Sequence, residues 1–211
     1  MASPILHVCV GLALLNIWRP ALRRGRPGGA GGPPANRPPP IRVWRGGLRA
    51  APLLAAAILA CLPDVDYLPG ILAGDWNAYH QGPTHSLLFL LLATAATLLL
   101  LQLLPAALRC RASLPDPSPR TAALVFALIA SHLVIDWMTQ DFRPPIGCPW
   151  LWPLSDQPFH ASFAFIPAWK KLHFIDLFSA ANLYPIAVET ALGAAALSLS
   201  TLPFSHPPKD P

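Results

Sequence analysis

The sequence predicts an all-α, polytopic membrane protein with about four to five apolar helices and a cluster of potential ligands at one membrane face. Three observations predict it. The 211 residues are 54% apolar and only 12% charged, with a mean hydropathy of +0.45, whereas an average soluble domain is about 45–50% apolar and about 25% charged. So few charges do not easily build a water-facing surface, which argues against an ordinary soluble enzyme, a coiled coil or an acidic disordered chain. The apolar residues come in blocks, interrupted by stretches rich in the 27 prolines. Histidines and aspartates stand near the ends of several of these blocks.

Each element follows from the pattern in turn. Met1–Trp18 is apolar, has no basic leading region and no small-residue cleavage site, and reads as a retained helix. Residues 19–47, with Arg24–Pro34 at their centre, are too rich in Arg, Pro and Gly to bury a core and read as a disordered linker inside one helical membrane domain spanning 1–211. Leu48–Leu62 is a short apolar helix stopped by Pro63, and Asp64–Thr84 is a polar loop. Ser86–Leu108 is an uninterrupted uncharged run, and about 20 such residues suffice to cross the hydrocarbon core. Arg109–Arg120 is a charged loop, and Thr121–Thr139 is a second long apolar helix that contains His132 and Asp136. Residues 140–180, rich in Pro, Trp and Phe, read as an irregular interfacial segment, and Ala181–Leu202 is a last apolar helix containing Glu189.

Charge sets the orientation. The net charge is +5, and the stretches 19–50 and 109–120 hold eleven of the fifteen Lys and Arg. Cytoplasmic loops carry the excess of these residues, so both stretches belong inside. Alternation then puts the N-terminus, the 64–84 loop and the 140–180 segment outside, at the extracytoplasmic face of the cell (inner) membrane. Trp18 and Trp44 would mark the inner interface, with Trp137, Trp150, Trp152 and Trp169 near the outer one. In this topology His7, Asp64, Asp66, His80, His85, His132 and Asp136 all come toward the outer face.

The strongest local signal is His132-Leu-Val-Ile-Asp136. Residues i and i+4 of a helix share a face about 5–6 Å apart, so the pair can bind one ion, or one member can orient the other. Ionisable residues inside a membrane segment are functional by default. Next is Pro63-Asp64-Val65-Asp66: on an extended chain both carboxylates point the same way, on a turn only one does. Either can be a ligand or a general base, and hard oxygen donors suit Mg²⁺, Mn²⁺ or Zn²⁺. Third is His80-Gln81-Gly82-Pro83-Thr84-His85, where Gly82 or Thr84 caps the next helix and His85 falls in its first turn. The helix dipole there favours neutral imidazole, the metal-binding form. His7 joins them by its position. His160, His173 and Asp176 are further candidates, while Glu189 reads as paired with a polar neighbour and Lys170 and Lys171 as lipid-headgroup contacts.

Other chemistries find little support. The four cysteines form no C-x-x-C and read as small hydrophobes. No G-x-S-x-G, P-loop or dinucleotide fingerprint occurs, and the basic linker lacks the interleaved aromatics of a nucleic-acid site, so no nucleic-acid partner is expected.

Taken together, Ser3-Pro4-x-x-His7-x-x-x-Gly11, Leu62-Pro63-Asp64-x-Asp66-Tyr67, His80-x-Gly82-x-Thr84-His85-Ser86 and Ser131-His132-x-x-x-Asp136 resemble the YdjM/YbcI-like family of membrane-bound metal-dependent hydrolases over about residues 1–18 and 48–180. Phe174-Ile175-Asp176-Leu177 is similar to a late acidic element of that family. The resemblance implies a distant relation to zinc-dependent phospholipase C and to single-strand-specific nucleases. It also implies His7, Asp64 or Asp66, His80, His85, His132 and Asp136 as metal ligands. The expected function is therefore a metal-dependent hydrolase, with zinc as the expected cofactor in one to three ions. Metal-activated water would act on a phosphoester or a small-molecule or lipid-like substrate, with Asp64 or Asp66 as the catalytic carboxylate and membrane lipids as partners. An ion, proton or metal transport protein using the same buried residues is the alternative.

Overall fold

The computed structural model describes residues 3–24 and 50–202, apart from 76, 141, 143–145 and 172. The described residues form seven α-helices in chain order: α1 (Pro4–Arg24), α2 (Ala50–Ala60), α3 (Tyr67–Leu72), α4 (Leu87–Leu103), α5 (Ala106–Ala112), α6 (Pro119–Trp137) and α7 (Leu183–Ser200). Among the described residues there is no strand, only two isolated bridges, Thr139 with Ile166 and Cys148 with Phe159. The all-helical expectation holds. Trp44, the linker beyond residue 24 and the tail lie outside the described residues, and the first helix runs past Trp18 to Arg24.

Local chemistry explains the helix ends. Ser118 starts α6 by accepting a hydrogen bond from the Thr121 N–H at 3.2 Å, with Pro119 in the first turn, and such a cap is worth about 1 kcal/mol. Ser86 does the same for α4 through the Phe89 N–H at 3.1 Å. Pro105 cannot continue α4. The run read as one helix through Leu108 therefore breaks, and α5 leaves at 108°. Arg109 stabilises the break, because its Nη1 donates to the carbonyls of Leu101, at 2.7 Å, and Leu104 at the exposed end of α4. Pro63 likewise breaks the chain after α2, where a 3₁₀ turn (Leu62–Asp66) leads into α3 at 64°. The 64–84 stretch is thus a compact set of turns and a short helix, because its prolines and glycines still leave a local hydrogen bond at most steps.

The helices pack around α1, which touches α2, α6 and α7, while α6 also touches α2 and α4. Small residues permit the approach. A Cβ on Gly11 would stand 2.7 Å from Ala60 Cβ, and one on Gly193 would stand 2.8 Å from Cys9 Cβ. Lipid offers little hydrophobic drive between helices, so close packing of small residues supplies the attraction. Three apolar clusters fill the interior among the described residues: Leu15, Ala56, Leu124 and Leu128, then Leu90, Val125 and Ile129, then Leu6, Ile135 and Ile166. The large apolar side chains of α4 that point outward, among them Leu91, Leu92, Leu99 and Leu100, are more than half exposed, as on a lipid-facing surface. Among the described residues, two helices are long and apolar enough to cross a membrane, or up to four if each bent pair is one span.

Candidate metal centre

Four chain segments end at one place. His7 lies in the first turns of α1. Asp64 and Asp66 come from the 3₁₀ turn after α2. His85 closes a 3₁₀ turn (Pro83–His85) that feeds α4, with His80 just before it. His132 and Asp136 face inward from the last turns of α6. The turn between His80 and His85 is tight. Gln81 takes a left-handed φ of 61°, and a Cβ on Gly82 would meet the Tyr79 carbonyl oxygen at 2.8 Å. His7, His85, His132 and Asp136 are buried, and Asp64, with 17% of its side chain accessible, is the open member.

Four donor atoms converge. His85 Nε2 lies 3.9 Å from Asp64 Oδ1 and 3.4 Å from Asp136 Oδ2. His132 Nε2 lies 3.5 Å from Asp64 Oδ1 and 3.6 Å from Asp136 Oδ2. Zinc bonds of about 2.0–2.1 Å in tetrahedral geometry require ligand–ligand separations of roughly 3.3–3.4 Å. The observed spacing is a slightly open version of that figure. Both Nε2 atoms are fully buried without a hydrogen-bond partner, an arrangement that costs roughly 1–3 kcal/mol per group unless something else meets the nitrogen. The donor set therefore fits a divalent cation.

The opposite nitrogens explain why Nε2 is left for coordination. His132 Nδ1 lies 2.9 Å from the carbonyl oxygen of Ala60. A carbonyl only accepts, so Nδ1 carries the proton and Nε2 the lone pair. His85 Nδ1 lies 3.1 Å from Asp66 Oδ2, and His80 Nδ1 lies 2.8 Å from Asp66 Oδ1. Thr84 Oγ1 donates to Asp66 Oδ2 at 2.8 Å. Because the segment turns, only one of the two aspartates enters the donor set. Asp64 does so, and Asp66 orients two histidines from behind, in the manner typical of residues that support metal ligands.

Two further imidazoles flank the set. His7 stacks on His132 with centroids 3.8 Å apart, and its Nε2 lies 3.6 Å from Asp136 Oδ1. His80 Nδ1 lies 3.7 Å from Asp64 Oδ1. Two groups, His7 with His132 and Asp136, and Asp64 with His80 and His85, each place one ligand atom per residue within 4.8 Å of the others. Six of the seven residues singled out in the sequence belong to these two groups, and Asp66 lies behind them against His80 and His85.

Electrostatics separates the two histidines outside the membrane helices. Burial pushes His80 down to about 4, against the opposing pull of Asp66. Burial also disfavours charge on His85, but the carboxylates of Asp136 and Asp66 outweigh it and raise His85 to about 10. The helix dipole, expected to keep His85 neutral, is the weaker influence here because two carboxylates lie within 3.4 Å of its ring nitrogens.

The remaining candidates lie elsewhere. His160 Nε2 is 3.2 Å from the Thr139 carbonyl and ties the 140–180 segment to the end of α6. His173 is exposed and pairs with Asp176, whose Oδ2 accepts from the His173 N–H at 2.8 Å. Glu189 is fully buried and accepts from the Ser3 N–H at 3.0 Å, from Ser3 Oγ, and from Trp169 Nε1 at 2.7 Å. It latches the start of α1, and hence His7, to α7. The Ser3 and Trp169 partners had no sequence signal beyond an acid in an apolar helix.

The family model of the YdjM inner membrane protein matches residues 4–206, and the chain belongs to that family. No curated protein and no solved structure matches it.

Proposed function

We propose that this member of the YdjM inner membrane protein family is a metal-dependent hydrolase that acts on phosphoesters at the membrane surface. The observation that carries the reading is the convergence of Asp64 Oδ1, His85 Nε2, His132 Nε2 and Asp136 Oδ2, with each nitrogen 3.4–3.9 Å from both oxygens. Two nitrogens and two oxygens at that spacing suit zinc. A zinc ion bound there would acidify water toward neutral pH and polarise an ester oxygen.

The chain's own residues supply the rest. His85 and His132 present Nε2 because Asp66 and the Ala60 carbonyl hold their Nδ1 protons. Asp136 comes from a buried helix face, which fixes one wall. Asp64 is the accessible carboxylate, so water and substrate reach the centre past it, and it is the group placed to take a proton. His7 and His80 offer donors for a second ion. The concentration of Lys and Arg in the 19–50 and 109–120 stretches supports an extracytoplasmic site, where a phospholipid-like substrate would be within reach.

Transport is the weaker reading. The ionisable cluster sits at one end of the helices, and Glu189, the acid in α7, is held by Ser3 and Trp169. The test is hydrolysis of a chromogenic phosphodiester by detergent-purified protein. Activity lost on chelation and restored by zinc is expected, and activity indifferent to chelator would reject the reading.

A further inference from the structure

Lys171 stands one aromatic ring away from the donor set. Its Nζ donates to the Tyr67 hydroxyl oxygen at 2.6 Å and lies 5.2 Å from the ring centroid. The Tyr67 ring stacks on His80, with centroids 4.0 Å apart and planes 18° apart. His80 in turn lies against Asp64 and Asp66. A cation from the 140–180 segment is thereby joined in series to the centre.

The backbone that presents this lysine is fixed on both sides. Asn77 Nδ2 donates to the Lys171 carbonyl at 2.9 Å. Asn182 Oδ1 accepts from the Lys170 N–H at 2.7 Å, and its Nδ2 donates to the Lys170 carbonyl at 2.9 Å. Both asparagines are buried, Asn182 completely. Burying an amide is costly unless its polar atoms are matched, as both of Asn182's are. Here two amides, from stretches more than 100 residues apart in sequence, hold one dipeptide in place. A lysine that merely brushed lipid headgroups would need no such support. Its neighbour Lys170 is exposed, whereas Lys171 is half-buried. An ammonium is a compact point charge with three rotatable donors, and tetrahedral phosphate oxygens suit it. Tyr67 supplies an acceptor and an aromatic face, and so sets the direction of the ammonium.

We propose that Lys171, aimed by Tyr67, binds a phosphate oxyanion of the substrate and thereby sets the specificity of the centre for anionic phosphate compounds. This rests on the hydrolase reading above. The phosphate can belong to a lipid headgroup or to a free phosphate, and the two sources are separable.

The experiment is calorimetric titration of zinc-loaded full-length protein in detergent, with inorganic phosphate in one arm and dihexanoyl phosphatidic acid in the other. Wild type is compared with Lys171→Met, Lys171→Gln and Lys171→Arg, and zinc is quantified in each preparation. Both neutral variants should keep wild-type zinc and lose at least tenfold in affinity, and Lys171→Arg should recover part of it. A loss in both arms supports recognition of phosphate as such, and a loss confined to phosphatidic acid supports the lipid as its source. Unchanged affinity for both compounds in either zinc-replete neutral variant overturns the proposal, as does a wild type that binds neither compound. A wild type without zinc whose phosphate affinity still depends on Lys171 would uphold the anion site and reject the metal reading alone.

Discussion

His132 Nδ1 and the Ala60 carbonyl oxygen, 2.9 Å apart, join the last turns of α6 to the end of α2. The same Ala60 is the closest neighbour of Gly11 on α1. One residue thus ties a helix-packing contact to the tautomer of a candidate ligand.

That tie predicts the effect of Gly11→Val. The new Cβ would meet Ala60 Cβ at 2.7 Å, and overpacking of this kind typically costs about 1–3 kcal/mol. Because Ala60 must shift, zinc affinity should fall together with thermal stability. Parallel melting and zinc titrations check this. A stability loss with zinc affinity intact would show that the Ala60 contact does not position His132.

Asp64 and Asp66 should separate cleanly. Asp64→Asn removes a donor and should leave the purified protein with little metal. Asp66→Asn leaves the four donors in place but weakens the grip on His80 and His85, and loss of such support costs about 10–100-fold in metal affinity or activity. Competition with a chromophoric chelator measures both. The reverse ranking would mean that Asp66 is the ligand.

Glu189 is a latch, and its loss should be read in stability. Glu189→Ala leaves the Trp169 Nε1 and Ser3 donors without their acceptor, at roughly 1–3 kcal/mol for each group left unsatisfied. The melting temperature should drop while saturating zinc still fills the centre. A loss of transport activity with unchanged melting would instead revive the transport reading.

Metal binding should release protons. The carboxylates of Asp136 and Asp66 hold a proton on His85 up to about pH 10, and a histidine coordinates only when neutral. At pH 7 an incoming ion must displace that proton, so affinity rises with pH and weakens as pH falls. Calorimetry of zinc binding in buffers of different ionisation enthalpy should report about one proton released from this group. Zero net release would contradict the assignment of His85 as a ligand.

The donors were legible in the sequence for a simple reason. His132 and Asp136 are coupled by helical spacing alone, and histidines or aspartates at the ends of apolar blocks meet once the blocks run antiparallel. The division of labour was not legible. Whether Asp64 or Asp66 joins the donor set depends on a 3₁₀ turn whose direction two residues of sequence do not specify. The break at Pro105 was hidden by the apolar run around it, and the Arg109 side chain that stabilises it reaches back to Leu101 and Leu104. Tyr67 and Lys171 are 104 residues apart in sequence, and no local pattern joins them. Glu189 was visible as an anomaly, but its partners Ser3 and Trp169 come from the start of the chain and from the irregular 140–180 segment.

Elemental analysis of the detergent-purified wild type beside Asp136→Asn tests the centre most directly, since the substitution keeps the side chain's shape and removes its charge. We predict at least one zinc per wild-type chain, and a folded variant, judged by gel filtration and helical circular dichroism, with almost none. Metal-free wild type after purification with zinc supplied, or a folded variant that retains the wild-type metal content, would contradict the account.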